Sequence, residues 1–407
     1  MTTFADSALS FLDARPDAPS RVDAWSVFST LGLPTTVDEV WRYAPLGDLD
    51  LDRFSLAAPA EQPPALSTLA SDLAERAGIV VRVVDGYLVK VSGELEGVTV
   101  TASEAQWSSR YETDAFAQLN CALTPATITL SVADGVDVAA PIVILNTTTT
   151  GASFPQVLIT LGRSSRASVV EYLDGGVDAL VVPVTEYELG DNSSLQVSTY
   201  QRLDATAWHI ARSTGRLGRD ARLSQAIISI GGHYNRSRND AEFLGTGAEN
   251  ELRTTFLGSA DQVHDFRTRQ YHKAGRGHST LLSKGAVADN SRSVYTGLIE
   301  IEKGAKRTDA RQTNHNLLLS PHAHADSVPN LDIRENDVMC AHASSVGPLD
   351  ELQRWYLESR GVSRRDAERL MIQGFFYEML ATLPRELADV VERDLGDTLR
   401  QVHIVTP

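Results

Sequence analysis

The sequence predicts a mainly β protein, a solenoid flanked by N-terminal and C-terminal helical regions. Three observations predict it. Glycines that open polar turns recur at Gly135, Gly162, Gly190, Gly218 and Gly247, at steps of 27, 28, 28 and 29 residues. Between them lie alternating or β-branched runs such as GVDVAAPIVIL and GDNSSLQVSTY, with no 3.6-residue stripe. From Asp350 the texture switches to amphipathic helix. A strand-only unit repeating at about 20–30 residues is the signature of a solenoid. A β-sandwich also spaces its strands regularly, but it accounts less well for the near-constant step. The composition fits a β-helix better than a leucine-rich repeat, because no LxxLxL frame appears.

Residues 1–58 read as an N-terminal helical region. Ala8, Leu9, Phe11 and Leu12 precede an Arg-Pro-Asp break; Val22, Trp25, Val27, Phe28 and Leu31 then recur at mixed i+3 and i+4 steps, and Gly32 ends the run. In LPTTVDEVWRYAPL, Thr36 is placed to cap a short helix with Glu39 at its third position, and Trp41 and Tyr43 are expected to pack onto the main body. Residues 59–126 read as a linker, PAEQPP, and a mixed α/β segment leading into the coil. That segment has a helix from Ser67 to Gly78, Val-rich strands from Ile79 to Thr101, and a helix from Thr113 to Leu123. The last helix sets Cys121 beside Phe116 and Leu119 as a small buried hydrophobe.

Residues 127–346 form the predicted β-helix core, and Gly285 and Gly304 continue its turn glycines. Residues 347–407 form a C-terminal helical domain. One helix ends at Gly361, and Ser363 caps the next with Asp366 at its third position. Ala367, Leu370, Met371, Gly374, Phe375 and Met379 make that helix's apolar stripe, and Pro384 opens a third helix. These helices either cap the solenoid or offer a docking surface.

Composition narrows the function. The chain has 407 residues and a net charge of −16, so it lacks the basic excess needed to neutralise nucleic-acid phosphates. No apolar run approaches the ~18–20 residues that span a bilayer. The N-terminus has neither a basic n-region nor a long apolar h-region, which argues against a secretory signal. Two distant cysteines, Cys121 and Cys340, suit a reducing compartment, and a cytoplasmic location is expected. The patterns GxxxxGK[ST], GxSxG, HExxH and CxxC are missing, which weakens most enzyme readings.

Chemistry-bearing residues gather between Arg311 and Val346, where His315, His322, His324, Cys340 and His342 lie. VMCAHAS reads as a strand, and residues two apart on a strand share a face. A thiolate and an imidazole on one face can supply half of a metal or cluster site. A buried thiol beside a satisfied histidine is the plainer reading of the same pair, and two ligands do not complete a site. His322 and His324, in SPHAHADS, read as turn residues. His315 shares a face with Leu317 and Leu319 and reads as an interior or edge residue of a coil. His264, His272 and His278, in HDFRTRQYHKAGRGH, suit solvated turns or an anionic ligand. A carbohydrate-active β-helix enzyme acting on an acidic polysaccharide is the alternative; it would need export and a concentrated carboxylate row, and the carboxylates are scattered.

The residues also carry a family resemblance. The segment QTNHNLLLSPHAHADSVPNLDIRENDVMCAHASSVGPLDELQRWYLESRGV resembles the C-terminal signature of the SufB/SufD family, scaffold subunits of the Suf iron–sulfur cluster assembly machinery. LPTTVDEVWRYAPL and FAQLNCALTPATITLSVADGVDVAAPIVI resemble its N-terminal segment and the approach to its β-helix. The resemblance covers nearly the whole chain and is weakest around residues 57–107. It implies a right-handed parallel β-helix and a non-enzymatic scaffold that pairs with a SufB-type subunit through the β-helices. It also implies that a SufC-type ATPase docks on the C-terminal helices. The SufB type carries a cysteine in the strand that here holds His315 and is usually longer, with further N-terminal cysteines, so the chain is more similar to SufD. The resemblance makes His342 a candidate ligand for a nascent cluster at the SufB interface, with Cys340 beside it. It implies no tightly bound cofactor, a transient cluster or iron at the interface, and leaves open a homodimer in isolation. A self-assembling structural solenoid would instead predict no SufC binding.

Overall fold

The computed structural model describes residues 3–15, 19–60, 62–104, 113–381, 383–402 and 404. Pro16 and Asp17 of the expected break, and Glu61 of the expected linker, lie outside them. Successive strands alternate between two parallel sheets, one of ten strands and one of eleven, that wind into a solenoid of about eight coils. Ser194 pairs with Arg166 in the coil below and Arg222 in the coil above. Neighbouring coils are offset by 28 residues there. The strand repeat predicted from glycine spacing is therefore a solenoid and not a sandwich.

The glycines mark the corners because corner stacks on corner. Gly162, Gly190 and Gly218 each donate a backbone N–H to the coil below, at 2.9 Å from the carbonyls of Val132, Leu161 and Leu189. A Cβ on Gly218 would stand 2.9 Å from the Leu189 carbonyl oxygen. Two residues on, Ser164, Asn192 and Asp220 take left-handed backbone with φ of 56°, 58° and 54°. Asn and Asp tolerate that region best among residues bearing a Cβ. Gly285 is different from the expectation. It lies inside the strand His278–Val287, and a Cβ there would collide with the Phe256 ring. It makes room for an aromatic in the coil below and turns no corner.

The N-terminal region packs on the outer face of the eleven-stranded sheet. Phe4, Ala24, Phe28 and Trp41 meet Phe116, Trp208 and Tyr234 there, and Cys121 is buried among them as expected. The helix Pro19–Leu31 buries Arg21, Ala24 and Phe28, whereas Val22 is exposed, so the apolar stripe is rotated from the expected one. Arg21 is tolerated inside because it donates to the carbonyls of Ala122 (3.2 Å), Thr124 and Pro125 (3.3 Å) and pairs with Glu104. The helix expected after Thr36 shrinks to a single 3-10 turn, Glu39–Trp41, and no Thr36 cap forms. Arg236 explains it: its guanidinium lies 3.6 Å from the Trp41 ring centre and donates to the Val40 carbonyl at 3.0 Å, claiming an acceptor that a helix would use.

The helices Glu351–Ser359, Arg364–Leu380 and Arg385–Gln401 follow the coil. Ile372, Phe376, Leu387 and Val391 pack on Tyr172, Tyr200, Ile228 and Leu257 of the outer face of the ten-stranded sheet. Ser363 caps its helix as expected, its hydroxyl accepting from the Asp366 N–H at 3.2 Å. The buried stripe, however, runs Ala367, Ile372, Phe376 and Met379, and Leu370 is exposed. The helices thus lie on the flank of the solenoid.

The two ends of the coil differ. At the N-terminal end both sheets are closed by antiparallel strands, Tyr87–Ser92 on Ile79–Val84 and Val98–Ser103 on Thr127–Val132. At the other end His324–Ile333 and Val338–Pro348 are the last strands of their sheets, with no further strand beyond them among the described residues. Leu331, Ile333 and Val346 continue ladder positions held below by the buried Ile299, Ile301 and Asn316, yet they are exposed. Inward-facing apolar side chains therefore look out of an open end.

The interior changes from aliphatic in the early coils to polar in the later ones. His209, His264 and His272 are all buried inside. His264 stacks on Phe256 and His272 on Phe243, and His209 hydrogen-bonds Asn235 at 2.5 Å. His264 and His272 are thus not the turn residues expected. Desolvation depresses their pKa values, to about 4 for His209 and about 3 for His264 and His272. Glu171, also inward, is pushed by burial up to about 7.

Two predictions follow from this packing. Below pH 6.5 the unfolded chain takes up protons on three imidazoles that the folded chain keeps neutral, so stability falls with acidification. Glu171 acts in the opposite sense between pH 7 and 4.5, because its folded carboxyl holds its proton longer. From these four groups the folded chain should lose about 2 kcal/mol between pH 7 and 5.5, and His264→Gln should recover about half of that in urea unfolding at the two pH values. Separately, Gly285→Ala should destabilise by about 1–3 kcal/mol through overpacking, and adding Phe256→Leu should reduce the loss in a double-mutant cycle.

Candidate functional site

The last strand, Val338–Pro348, pairs in parallel with Thr308–Leu318 and, among the described residues, with no other strand. Cys340 stands opposite Ala310, and His342 opposite Gln312. Ala310 and Gln312 are buried inside the coil, so the two site candidates continue two neighbouring inward-facing columns. With no coil above them, Cys340 is half-buried and His342 exposed. The strand holds their Cα atoms roughly 7 Å apart on one face, and both side chains can reach a common atom in the opening. Burial, and then the Asp309 carboxylate, raise the Cys340 pKa, so the thiol keeps its proton at neutral pH. Binding a thiophilic metal there must expel that proton.

The pair remains half a site. Among the described residues no three His, Cys, Asp or Glu side chains are grouped to hold a metal ion. The other histidines of the segment diverge. His315 sits on the opposite face of its strand from Ala310 and Gln312, outward and half-exposed, with its Nδ1 2.5 Å from the Ser345 hydroxyl. Desolvation, then Lys284, lower its pKa. Its expected interior or edge place is corrected, because the strand's alternation puts Asn314 and Asn316 inside and the strand Val338–Pro348 lies beyond it. His322 lies in an exposed turn as expected, and His324 begins the next strand, 3.2 Å from Asp326.

A second surface adjoins the open end. The helix Glu351–Ser359 buries no residue. Leu352, Trp355 and Tyr356 are all exposed, Trp355 to 67 %. The helix is fixed to its neighbour by Arg354, whose guanidinium lies 3.6 Å from the buried Glu368; Arg364 reaches the same carboxylate at 3.0 Å. Exposed aromatics side by side on one helix have the composition common in contact surfaces. The sequence carried this signal in WYL, but periodicity cannot say which side of a short helix faces the body. No described helix is long and apolar enough to cross a membrane.

The comparisons with known proteins agree with this architecture. The family described as SUF system FeS cluster assembly, SufBD core domain, matches residues 143–375. The chain is 28 % identical to the iron–sulfur cluster assembly protein SufD of Bacillus subtilis, over 85 % of this chain and 80 % of that protein. It is 27 % identical to SufD of Escherichia coli, over 87 % of this chain and 86 % of that one. It is 34 % identical, over 43 % of this chain and 46 % of the relative, to an iron–sulfur cluster assembly SufBD family protein of Mycobacterium tuberculosis. The parallel coil, the two bare strand edges and these matches lead to one conclusion: the chain belongs to the SufB/SufD family of iron–sulfur cluster assembly proteins and is most like SufD.

Proposed function

We propose that the chain is a non-catalytic scaffold subunit that pairs with a SufB-type subunit through the open end of its solenoid. The observation that carries this reading is the open end itself. Two unpaired parallel edges and the exposed Leu331, Ile333 and Val346 are an aggregation liability unless a partner covers them. A second solenoid continuing both sheets would satisfy the backbone groups and bury the apolar side chains together. Cys340 and His342 then lie at the junction, where the partner supplies the remaining ligands for iron or a nascent cluster. The metal is cargo, held only as long as the junction retains it. The helix carrying Trp355 receives a SufC-type ATPase, whose nucleotide-driven movement biases the junction between a closed and an open arrangement. Two free cysteines, Cys121 and Cys340, suit a compartment that keeps thiols reduced, and we place the chain in the cytosol.

A polysaccharide-active enzyme is not favoured, since the relatives are named for cluster assembly. The reading yields separable expectations. In co-purification from cells making all three subunits, Leu331→Asp should lose the SufB-type partner and keep the ATPase. Trp355→Glu should do the reverse. Loss of neither partner in either variant overturns the proposed surfaces. His342→Ala should leave both partners bound yet lower cluster-dependent enzyme activity at least several-fold in cells lacking the wild-type copy; undiminished activity removes His342 from the site.

A further inference from the structure

The outer face of the eleven-stranded sheet carries a cleft of about 360 Å³ beneath the N-terminal segment. Arg42 and Tyr43 stand in its wall. Its floor is built by stacking. One outward column runs Arg238, Arg267, Thr296, Val328 from coil to coil, and the next runs Asp240, Arg269, Leu298, Asn330. Charge therefore collects at one end of the floor, and Leu298 and Val328 make the other end apolar.

The arginines differ in what holds them. Arg238 donates to Asp240 at 3.1 Å, and Arg269 to Glu300 at 3.0 Å and 2.5 Å. Arg267 is only 8 % exposed, and its Nε is buried with no hydrogen-bond partner among the described residues. The Asp265 carboxylate takes Arg236 and the Tyr234 hydroxyl on its Oδ2, and its Oδ1 lies 3.5 Å from the Arg267 Nε, an ion pair without a hydrogen bond. Burial lowers the Arg267 pKa, so the charge is held at a cost that a bound anion would offset. A planar guanidinium with free donors matches the paired oxygens of a phosphate or carboxylate. The cleft volume lies in the range of small-molecule sites, about 300–1,000 Å³.

We propose that this cleft binds a small organic anion, its phosphate or carboxylate received by Arg267 and Arg42 and its planar or apolar body lying against Tyr43, Leu298 and Val328. The site is on the opposite sheet from Cys340 and His342, so its failure would leave the scaffold reading untouched. Three probes separate the contributions: inorganic phosphate, phenyl phosphate and benzoate, titrated calorimetrically into the full chain at low salt. Phenyl phosphate or benzoate should bind, and the tighter of the two identifies the preferred oxyanion. Arg267→Met should weaken that probe about tenfold or more, the size expected for a charge-assisted hydrogen bond. Leu298→Asn should weaken phenyl phosphate and leave inorganic phosphate unchanged. If Arg267→Met does not fold, Arg42→Ala, in the exposed wall, carries the test. No binding of any probe at millimolar concentration overturns the proposal, and so does equal affinity in the folded arginine variants.

Discussion

Each coil must close so that its strands fall in register with those of the coil beneath. In a parallel ladder every backbone N–H and C=O of one strand is answered by the strand above or below, so a coil that drifts in register forfeits a whole row of bonds. That constraint explains the corner glycines, whose N–H groups reach the carbonyls below and leave no room for a side chain. It explains the left-handed residues two positions on. It also makes columns of side chains, and the candidate positions on the coil lie in them. Cys340 and His342 end two neighbouring inward columns, while Arg238 and Arg267 lie in an outward one.

The same constraint decided what could be read from the sequence. A 28-residue step with strand-like runs leaves few architectures, and the coil was legible for that reason. Gly285 was misread because a glycine inside a strand looks like a glycine in a turn when only spacing is used; what distinguishes it is Phe256, one coil away and 29 residues earlier. His264 and His272 read along the chain as residues of solvated turns or of an anion site for a related reason. In HDFRTRQYH the alternation of Phe266, Thr268 and Gln270 with Asp and Arg already marks a strand, but the abundance of charge masked the period. Those charges are outward; Asp265 meets Arg236 one coil below and Arg269 meets Glu300 one coil above, contacts invisible to a reading along the chain.

The helical regions were legible in existence and less so in orientation. Arg21 takes a buried place that hydropathy assigns to Val22, because carbonyls at the end of another helix accept its protons. Such capture by long-range partners leaves no local trace. The half-site was legible as far as its two members, Cys340 and His342, since i and i+2 on a strand is a local relation. Its completeness was not: among the described residues no third ligand joins the pair.

The unlike ends of the coil have a consequence for how large an assembly can grow. One end is finished by antiparallel strands that offer no continuation of the parallel ladder; the other is bare. A solenoid with two bare ends would polymerise, each subunit templating the next. A solenoid with one has a valence of one. If it pairs end to end as proposed, with a partner finished in the same way, growth of the parallel ladder stops at two subunits without any surface devoted to counting.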